Sequence, residues 1–274
     1  MSTGTLRIGG CILLGLLAHA SSPGSDTSLP PCPPGLIEGP DPIGRTCEPR
    51  DKEKTGTSTL RGCPETGHDP ATGAPFMVWE EGDDGLRDIA FRMWSDGDWS
   101  GTEFLASSSA DERDPRAFAA EDGTILVSWW AEGRDAGVYY ARREPVVGSW
   151  SPGVRVADDG ARPSIAAVSG RALIVFERSR PNGGVDLVAV TEGLDGGFAE
   201  RLVLANAGFG SLASRVRHER GRTWVEWMPA PLRLAWSAWV DGRWSAAQTV
   251  GVAVHSWQAE QSARERVREI VLED

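Results

Sequence analysis

The chain has 274 residues, 40% hydrophobic and 24% charged, a composition typical of a folded globular protein, which argues against wholesale disorder. Its formal net charge of −11 would repel a phosphate backbone and argues against nucleic acid as a partner. The 12 tryptophans and 33 glycines predict short strands joined by tight turns, with an aromatic anchor in each repeat.

Residues 1–20 have the pattern of a secretory signal peptide. Arg7 supplies the positive charge, residues 8–17 are apolar, and residues 18–20 form a small-x-small cleavage site. An uncleaved anchor is the alternative, because the positive region is weak. We therefore expect a secreted or periplasmic protein with no membrane span after cleavage.

Residues 21–72 are rich in proline, glycine, serine, threonine and aspartate, and this composition predicts a disordered, low-order linker. Three cysteines, Cys32, Cys47 and Cys63, lie in it, and an exported chain can form disulfides. A Cys47–Cys63 pair is preferred because Cys32 lies in a stiff proline-rich run. The cysteine spacing is not that of a zinc site.

From residue 73 to residue 274 the chain repeats, with two sets of aromatic anchors that keep one period of roughly 50 residues, the length of a propeller blade. Each unit contains an apolar strand that ends in an aromatic residue, a more alternating strand, and a glycine-containing turn. The early anchors are Trp79, Trp130, Phe176 and Trp227, and the late anchors are Trp99, Trp150, Phe198 and Trp244.

These repeats predict an all-β fold, a β-propeller of about four or five blades, each a four-stranded antiparallel sheet. The opening unit lacks a good first strand before Phe76. Residues 255–274 fit either two strands or an amphipathic helix, and strands are favoured because their lengths match the repeat. A C-terminal strand in the opening unit would close the ring.

The units resemble the BNR-like repeats of the sialidase superfamily. Residues 140–142, 148–151 and 162–165 carry the resemblance, which covers residues 75–250 and implies a propeller of a kind that often handles carbohydrate. The turns lack the Asp-box spacing of sialidases, and Tyr139 and Tyr140, the only tyrosines, lie in mid-strand. Sialidase activity is therefore not expected.

The turn at residues 93–99 also resembles that of fucose-lectin propellers, and this second resemblance implies a sugar site with Trp79, Glu80 and Arg92.

Charged residues directly after the buried strands are the candidate ligand-binding residues. Glu80, Glu132 and Glu177 take similar places in three units, and Arg178 adjoins Glu177. Equivalent positions of a propeller form a ring around its axis, which would suit sugar hydroxyls or a cationic peptide, whereas a solvated rim is the alternative. The remaining candidates are Arg92 and Arg142.

The sequence contains no Gly-x-Ser-x-Gly elbow, no phosphate-binding loop and no histidines at ligand spacing, so we predict no catalytic set, no metal and no cofactor. The function expected is an exported, non-catalytic binding or scaffold propeller, with a glycan or an extracellular protein as its partner. The alternatives are a glycoside hydrolase of the sialidase type with a pair of carboxylates, and an incomplete propeller that closes by dimerisation.

Overall fold

Four antiparallel sheets, here called sheets I to IV, follow one another along the chain in the computed structural model of the protein. The structure describes residues 36–38, 47–49, 60–83, 85–145, 148–198, 202–209, 214–252 and 257–273. The predicted signal peptide and most of the predicted linker lie outside these residues.

The strands of each sheet follow in chain order, as in a meander, and this confirms the all-β prediction. Sheet I contains β3 (Leu60–His68), β4 (Pro75–Asp83), β5 (Leu86–Ser95), β6 (Asp98–Trp99) and β7 (Glu103–Ala106). Sheet II contains β8 (Asp111–Ala119), β9 (Ile125–Glu132), β10 (Gly137–Arg143) and β11 (Val154–Ala157). Sheet III contains β12 (Ala161–Val168), β13 (Arg171–Ser179), β14 (Gly184–Thr191) and β15 (Leu202–Phe209). Sheet IV contains β16 (Arg215–Glu219), β17 (Arg222–Ala230), β18 (Arg233–Val240), β19 (Arg243–Trp244) and β20 (Gln248–Gly251).

Two further elements lie outside the four sheets. A two-stranded ribbon, β1 (Leu36–Glu38) with β2 (Cys47–Pro49), precedes sheet I, and one helix, α1 (Trp257–Glu273), follows sheet IV. Cys47 lies in β2 and Cys63 in β3, but both side chains fall outside the described part of the chain, so their disulfide stays a prediction. The described helix is neither long nor apolar enough to cross a membrane.

Consecutive sheets pack face to face, as the blades of a propeller do. The first strand of each sheet is the innermost, since β3 contacts β8, β8 contacts β12, and β12 contacts β16. Trp129 of sheet II fills the interface with sheet I, Phe176 fills that between sheets II and III, and Trp227 that between sheets III and IV. The long apolar strands are therefore buried on both faces, which explains their continuous hydrophobic runs.

The expectation that sheet I lacks an inner strand is wrong. Strand β3 lies inside the range predicted as linker and pairs with β4 over residues 60–68, in the place that β8, β12 and β16 take in the other sheets. A C-terminal strand is therefore not needed at this edge.

The preference for strands at the C-terminus is also wrong, because residues 257–273 form helix α1. Ala263, Val267 and Val271, spaced four residues apart, are fully buried on one face of the helix. This stripe covers the outer face of sheet IV and removes its large side chains from water. Two short strands at the edge of the sheet would leave that face exposed. The covered side chains are Trp224, Leu234 and Trp236.

An ion pair joins sheets I and II. Both oxygens of Asp111 accept hydrogen bonds from the side chain of Arg87, with Nε–Oδ1 and Nη2–Oδ2 distances of 2.7 Å, and Arg113 donates two more to Oδ2. These bonds, those from Arg87 above all, hold the pKa of the buried Asp111 well below its ordinary value of 3.8.

The Asp111→Asn variant is expected to lose about 2 kcal/mol of unfolding free energy at pH 7, because the hydrogen bonds to a charged acceptor are weakened. The folded state depresses this pKa, so the contribution of Asp111 is fully present above pH 3.8 and disappears as the pH falls below that value. Urea unfolding from pH 7 to pH 2 should show the two proteins converging in acid. Asp98→Asn, at an exposed carboxylate, is the control, and a constant difference at all pH values would contradict the prediction.

Candidate functional site

The inner strands of the four sheets line a half-open cavity of about 260 Å³, here called the central cavity. All four sheets contribute to its wall, which places it on the axis around which they are arranged. Its lining residues are Glu65, Arg116, Ala117, Phe118, Ser164, Ile165, Arg215, Val216, Arg217 and His218.

Four of the lining residues occupy equivalent positions in the four sheets. Glu65, Arg116, Ser164 and Arg215 each pair across the sheet with the residue just before a buried aromatic anchor. The cavity is therefore built from one repeated position that carries a different side chain in each sheet. The four cross-strand partners are Val78, Ser128, Val175 and Glu226.

An irregular register lies directly before this position in sheets I, II and III. Pro64, Pro115 and Pro163 are found there, and proline fits a bulge because it has no N–H to donate to the ladder. Asp114 and Arg162 adopt left-handed backbone conformations at two of the bulges, with φ of 47° and 50°. Bulges bend a strand and re-aim side chains, and these turn the next residue toward the axis.

Two hydrogen bonds tie neighbouring sheets together at the cavity wall. Nη1 of Arg116 donates to Oε2 of Glu65 at 3.1 Å, and the backbone N–H of Val216 donates to Oγ of Ser164 at 2.8 Å. Because the Ser164 oxygen is the acceptor in this bond, its own hydroxyl proton remains available to a ligand.

Arg215 is the least satisfied charge in the cavity. It lines the cavity with part of its surface accessible and, within the described part of the chain, makes no hydrogen bond or ion pair. Partial burial, and after it the guanidinium groups of Arg217, Arg264 and Arg116, lower the pKa of Arg215, and the carboxylate of Glu65 offsets only part of this effect. An anion placed here would relieve this repulsion.

The charges on the wall are unequal. Arg116, Arg215 and Arg217 face a single lining carboxylate among the described residues, that of Glu65. Glu226 lies 4.0 Å from Nε of Arg217, but it is buried and is already held by Arg264 at 2.6 Å. The central cavity is thus a positive pocket in a chain with a net charge of −11.

An aromatic contact crosses the cavity between β8 and β16. The rings of Phe118 and His218 lie edge to face, with centroids 5.8 Å apart. Nδ1 of His218 is 2.7 Å from Oγ1 of Thr223, and burial lowers the pKa of His218 from its ordinary value of 6.5. The imidazole is therefore neutral at neutral pH and adds an uncharged polar group to the wall.

The three glutamates predicted as ligand-binding residues lie outside the central cavity. Glu80 is buried and accepts hydrogen bonds from Nη1 of Arg87 at 3.1 Å and from the backbone N–H of Asp114 at 2.8 Å. Glu177 is buried beside Arg162 at 3.2 Å, and the exposed Glu132 pairs with Arg113 at 2.8 Å. Each has a cation as partner, and a ligand-binding role for them stays a prediction.

The three predicted arginines also lie elsewhere. Arg178 is 3.5 Å from Asp186, and Arg142 pairs with Glu192 at 3.0 Å. Arg92 lies over the ring of Trp79 and donates to Oγ1 of Thr102 at 2.9 and 2.7 Å. The role of these three arginines in ligand binding also stays a prediction.

Glu132 is not the equivalent of Glu80 and Glu177. The anchor of sheet II is Trp129, which is 2% exposed and faces sheet I, and not the neighbouring Trp130. Trp130 is the equivalent of Glu80 and Glu177. Each of the three pairs with the last residue of the inner strand before the register becomes irregular.

Comparisons with known proteins assign no family to the chain. No family model and no curated protein matches it. A protein of unknown function from Dyadobacter fermentans is similar in structure, at 14% identity over 78% of this chain and 73% of that one, with a TM-score of 0.49.

Two enzymes of known structure are also similar to the chain. Zg3597, a family 117 glycoside hydrolase of the marine bacterium Zobellia galactanivorans, is 13% identical over 72% of this chain and 71% of that one, with a TM-score of 0.49. An exo-1,5-α-L-arabinanase from a bovine ruminal metagenomic library is 13% identical over 70% and 74%, with a TM-score of 0.42. Likeness at this level assigns no activity to the chain.

Proposed function

We propose that the chain is an exported, non-catalytic binding protein that takes a carboxylated or sulfated saccharide in the central cavity. The observation that carries the proposal is Arg215, a cavity-lining guanidinium without a hydrogen bond or ion pair among the described residues, in a wall with three arginines and one carboxylate. Guanidinium groups bind carboxylate and sulfate oxygens through charge-assisted hydrogen bonds.

The other lining groups suit the rest of a sugar. The Ser164 hydroxyl and the neutral His218 imidazole offer hydrogen bonds to sugar hydroxyls. Phe118 presents a ring to the apolar C–H face of a pyranose. The mixture of one anion site with a few neutral polar groups favours an acidic sugar over a simple inorganic anion.

Binding is favoured over hydrolysis at this cavity. Hydrolysis of a glycosidic bond needs two carboxyl groups about 5–10 Å apart, one acting as acid and the other as base or nucleophile. The described lining contains Glu65 alone, and Arg116 holds its carboxylate. The units resemble BNR-like repeats, in which the first strand is led by a proline. In this chain a proline directly precedes three of the four cavity positions.

The dimerisation alternative has less support. It requires the outer face of sheet IV to be open to a second copy, whereas α1 covers that face through Ala263, Val267 and Val271. We therefore expect the cavity to form within one chain.

The test is an array of neutral, carboxylated and sulfated glycans probed with the purified chain at about 50 and 200 mM salt, with its solution mass measured on the same sample. We expect a folded monomer that binds acidic glycans only, and less strongly at the higher salt, because screening weakens the contacts with the arginines. Equal binding of neutral glycans, or no binding by a folded monomer, would contradict the proposal, and the latter would favour a protein-binding scaffold.

A further inference from the structure

A second cavity, of about 220 Å³, adjoins the central one between sheet IV and helix α1. Arg217 and His218 line both cavities, so the two spaces share part of one wall. Helix α1 lies outside the repeats and contributes to the second cavity with a face different from the one that packs on sheet IV. Gln261, Glu265 and Arg268, spaced as neighbours on one side of a helix, form that face.

The charges of the second cavity are balanced, unlike those of the first. Three arginines in its wall, Arg217, Arg264 and Arg268, are matched by three glutamates. Arg268 donates to both oxygens of Glu219, at 2.6 and 2.5 Å, and lies 3.4 Å from Glu265. Nη1 of Arg264 donates to Oε2 of Glu226 at 2.6 Å. Arg264 and Arg268, the two arginines that line this cavity and not the central one, are therefore both paired.

Gln261 is the group of the second cavity that is open to a ligand. It is half-buried in the wall, and within the described residues its amide makes no hydrogen bond. An amide offers both donors and an acceptor, as does a sugar hydroxyl. The second cavity therefore suits an uncharged polyhydroxyl group.

We infer that the second cavity is a subsite for the neutral sugar unit next to the acidic one, so that the ligand is an acidic disaccharide or a longer chain. This inference rests on the proposed function, since the acidic unit is the one expected in the central cavity. Helix α1 then has two roles, because one face covers sheet IV and another extends the binding site.

The experiment compares two probes with one carboxylate each, D-glucuronic acid and the disaccharide GlcA(β1–3)GlcNAc, by calorimetric titration. We expect the disaccharide to bind the native chain about tenfold more tightly, since one or two additional hydrogen bonds are made. Gln261→Trp, which fills the second cavity, should remove this advantage and leave the affinity for glucuronic acid unchanged. Glu269→Gln, on the exposed side of the same helix, is the matched control and should retain it.

The outcomes separate the two proposals. Equal affinities of the native chain for both probes, or an advantage that survives Gln261→Trp, would overturn the subsite and leave the proposed function standing. No binding of either probe by the native chain would overturn a carboxylated saccharide as the ligand of the central cavity, and the subsite with it.

Discussion

The Arg215→Ala variant is expected to bind acidic saccharides at least tenfold more weakly than the native chain. A hydrogen bond to a charged group contributes about 1.5–3 kcal/mol, and each 1.4 kcal/mol corresponds to a factor of about ten in affinity. The unfolding free energy should not fall, because Arg215 makes no hydrogen bond or ion pair among the described residues, and its attraction to Glu65 is outweighed by repulsion from Arg217, Arg264 and Arg116.

Calorimetric titration with GlcA(β1–3)GlcNAc measures the change in affinity, and urea unfolding measures stability. The control is Arg233→Ala, which removes an exposed arginine of sheet IV away from the central cavity. Unchanged affinity in the Arg215 variant would show that the cavity is not the binding site. Reduced affinity in both variants would indicate a general effect of net charge.

The Arg264→Ala variant is expected to lose about 3–5 kcal/mol of unfolding free energy, because it leaves a buried carboxylate without its cation. Arg264 and Glu226 are 4% and 1% exposed, and Nη1 of Arg264 lies 2.6 Å from Oε2 of Glu226. The pair joins helix α1 to the centre of sheet IV. Its loss should therefore loosen the helix as well as reduce stability.

Thermal and urea unfolding measure this loss, and hydrogen exchange of α1 locates it. The double variant Glu226→Gln with Arg264→Met should recover most of the stability, because the charge is removed while Trp224 Nε1, which donates to Oε1 of Glu226 at 2.9 Å, keeps an acceptor. A double variant as unstable as the single one would contradict the explanation by an unpaired charge. Glu269→Gln serves as the neutral control.

The repeating sheets could be predicted from the sequence because their central strands are continuous apolar runs between glycine turns. Strand β3 could not be predicted in this way, and its composition explains why. Its residues, Leu-Arg-Gly-Cys-Pro-Glu-Thr-Gly-His, include few apolar side chains, and one of the polar ones, Glu65, lines the central cavity. The feature that makes this strand part of the site also made it resemble a linker.

The C-terminal segment shows the limit of local patterns. Its residues fit a helical stripe and short strands alike, and the choice depends on what the segment packs against. The open apolar face of sheet IV, with Trp224 and Trp236, favours a helix whose buried stripe matches it. That face exists only after the sheet has formed, so the sequence of the tail does not decide between the two.

The predicted ligand-binding residues and the residues that line the central cavity lie on different strands. Charged residues after the apolar strands were chosen, whereas the cavity is lined by the first strand of each sheet. Choosing Trp130 instead of Trp129 as an anchor shifted the register of sheet II by one residue, which exchanges the two faces of a strand. Pro64, Pro115 and Pro163, which repeat at the period of the anchors, were the available signal for the cavity positions.

A crystal structure of the chain with GlcA(β1–3)GlcNAc would show whether the central cavity binds the acidic group of a saccharide. We predict the carboxylate of the probe within hydrogen-bond distance of the guanidinium group of Arg215, with the sugar ring toward Ser164 and His218. A probe bound at another surface, or a central cavity without the probe at saturating concentration, would contradict the claim.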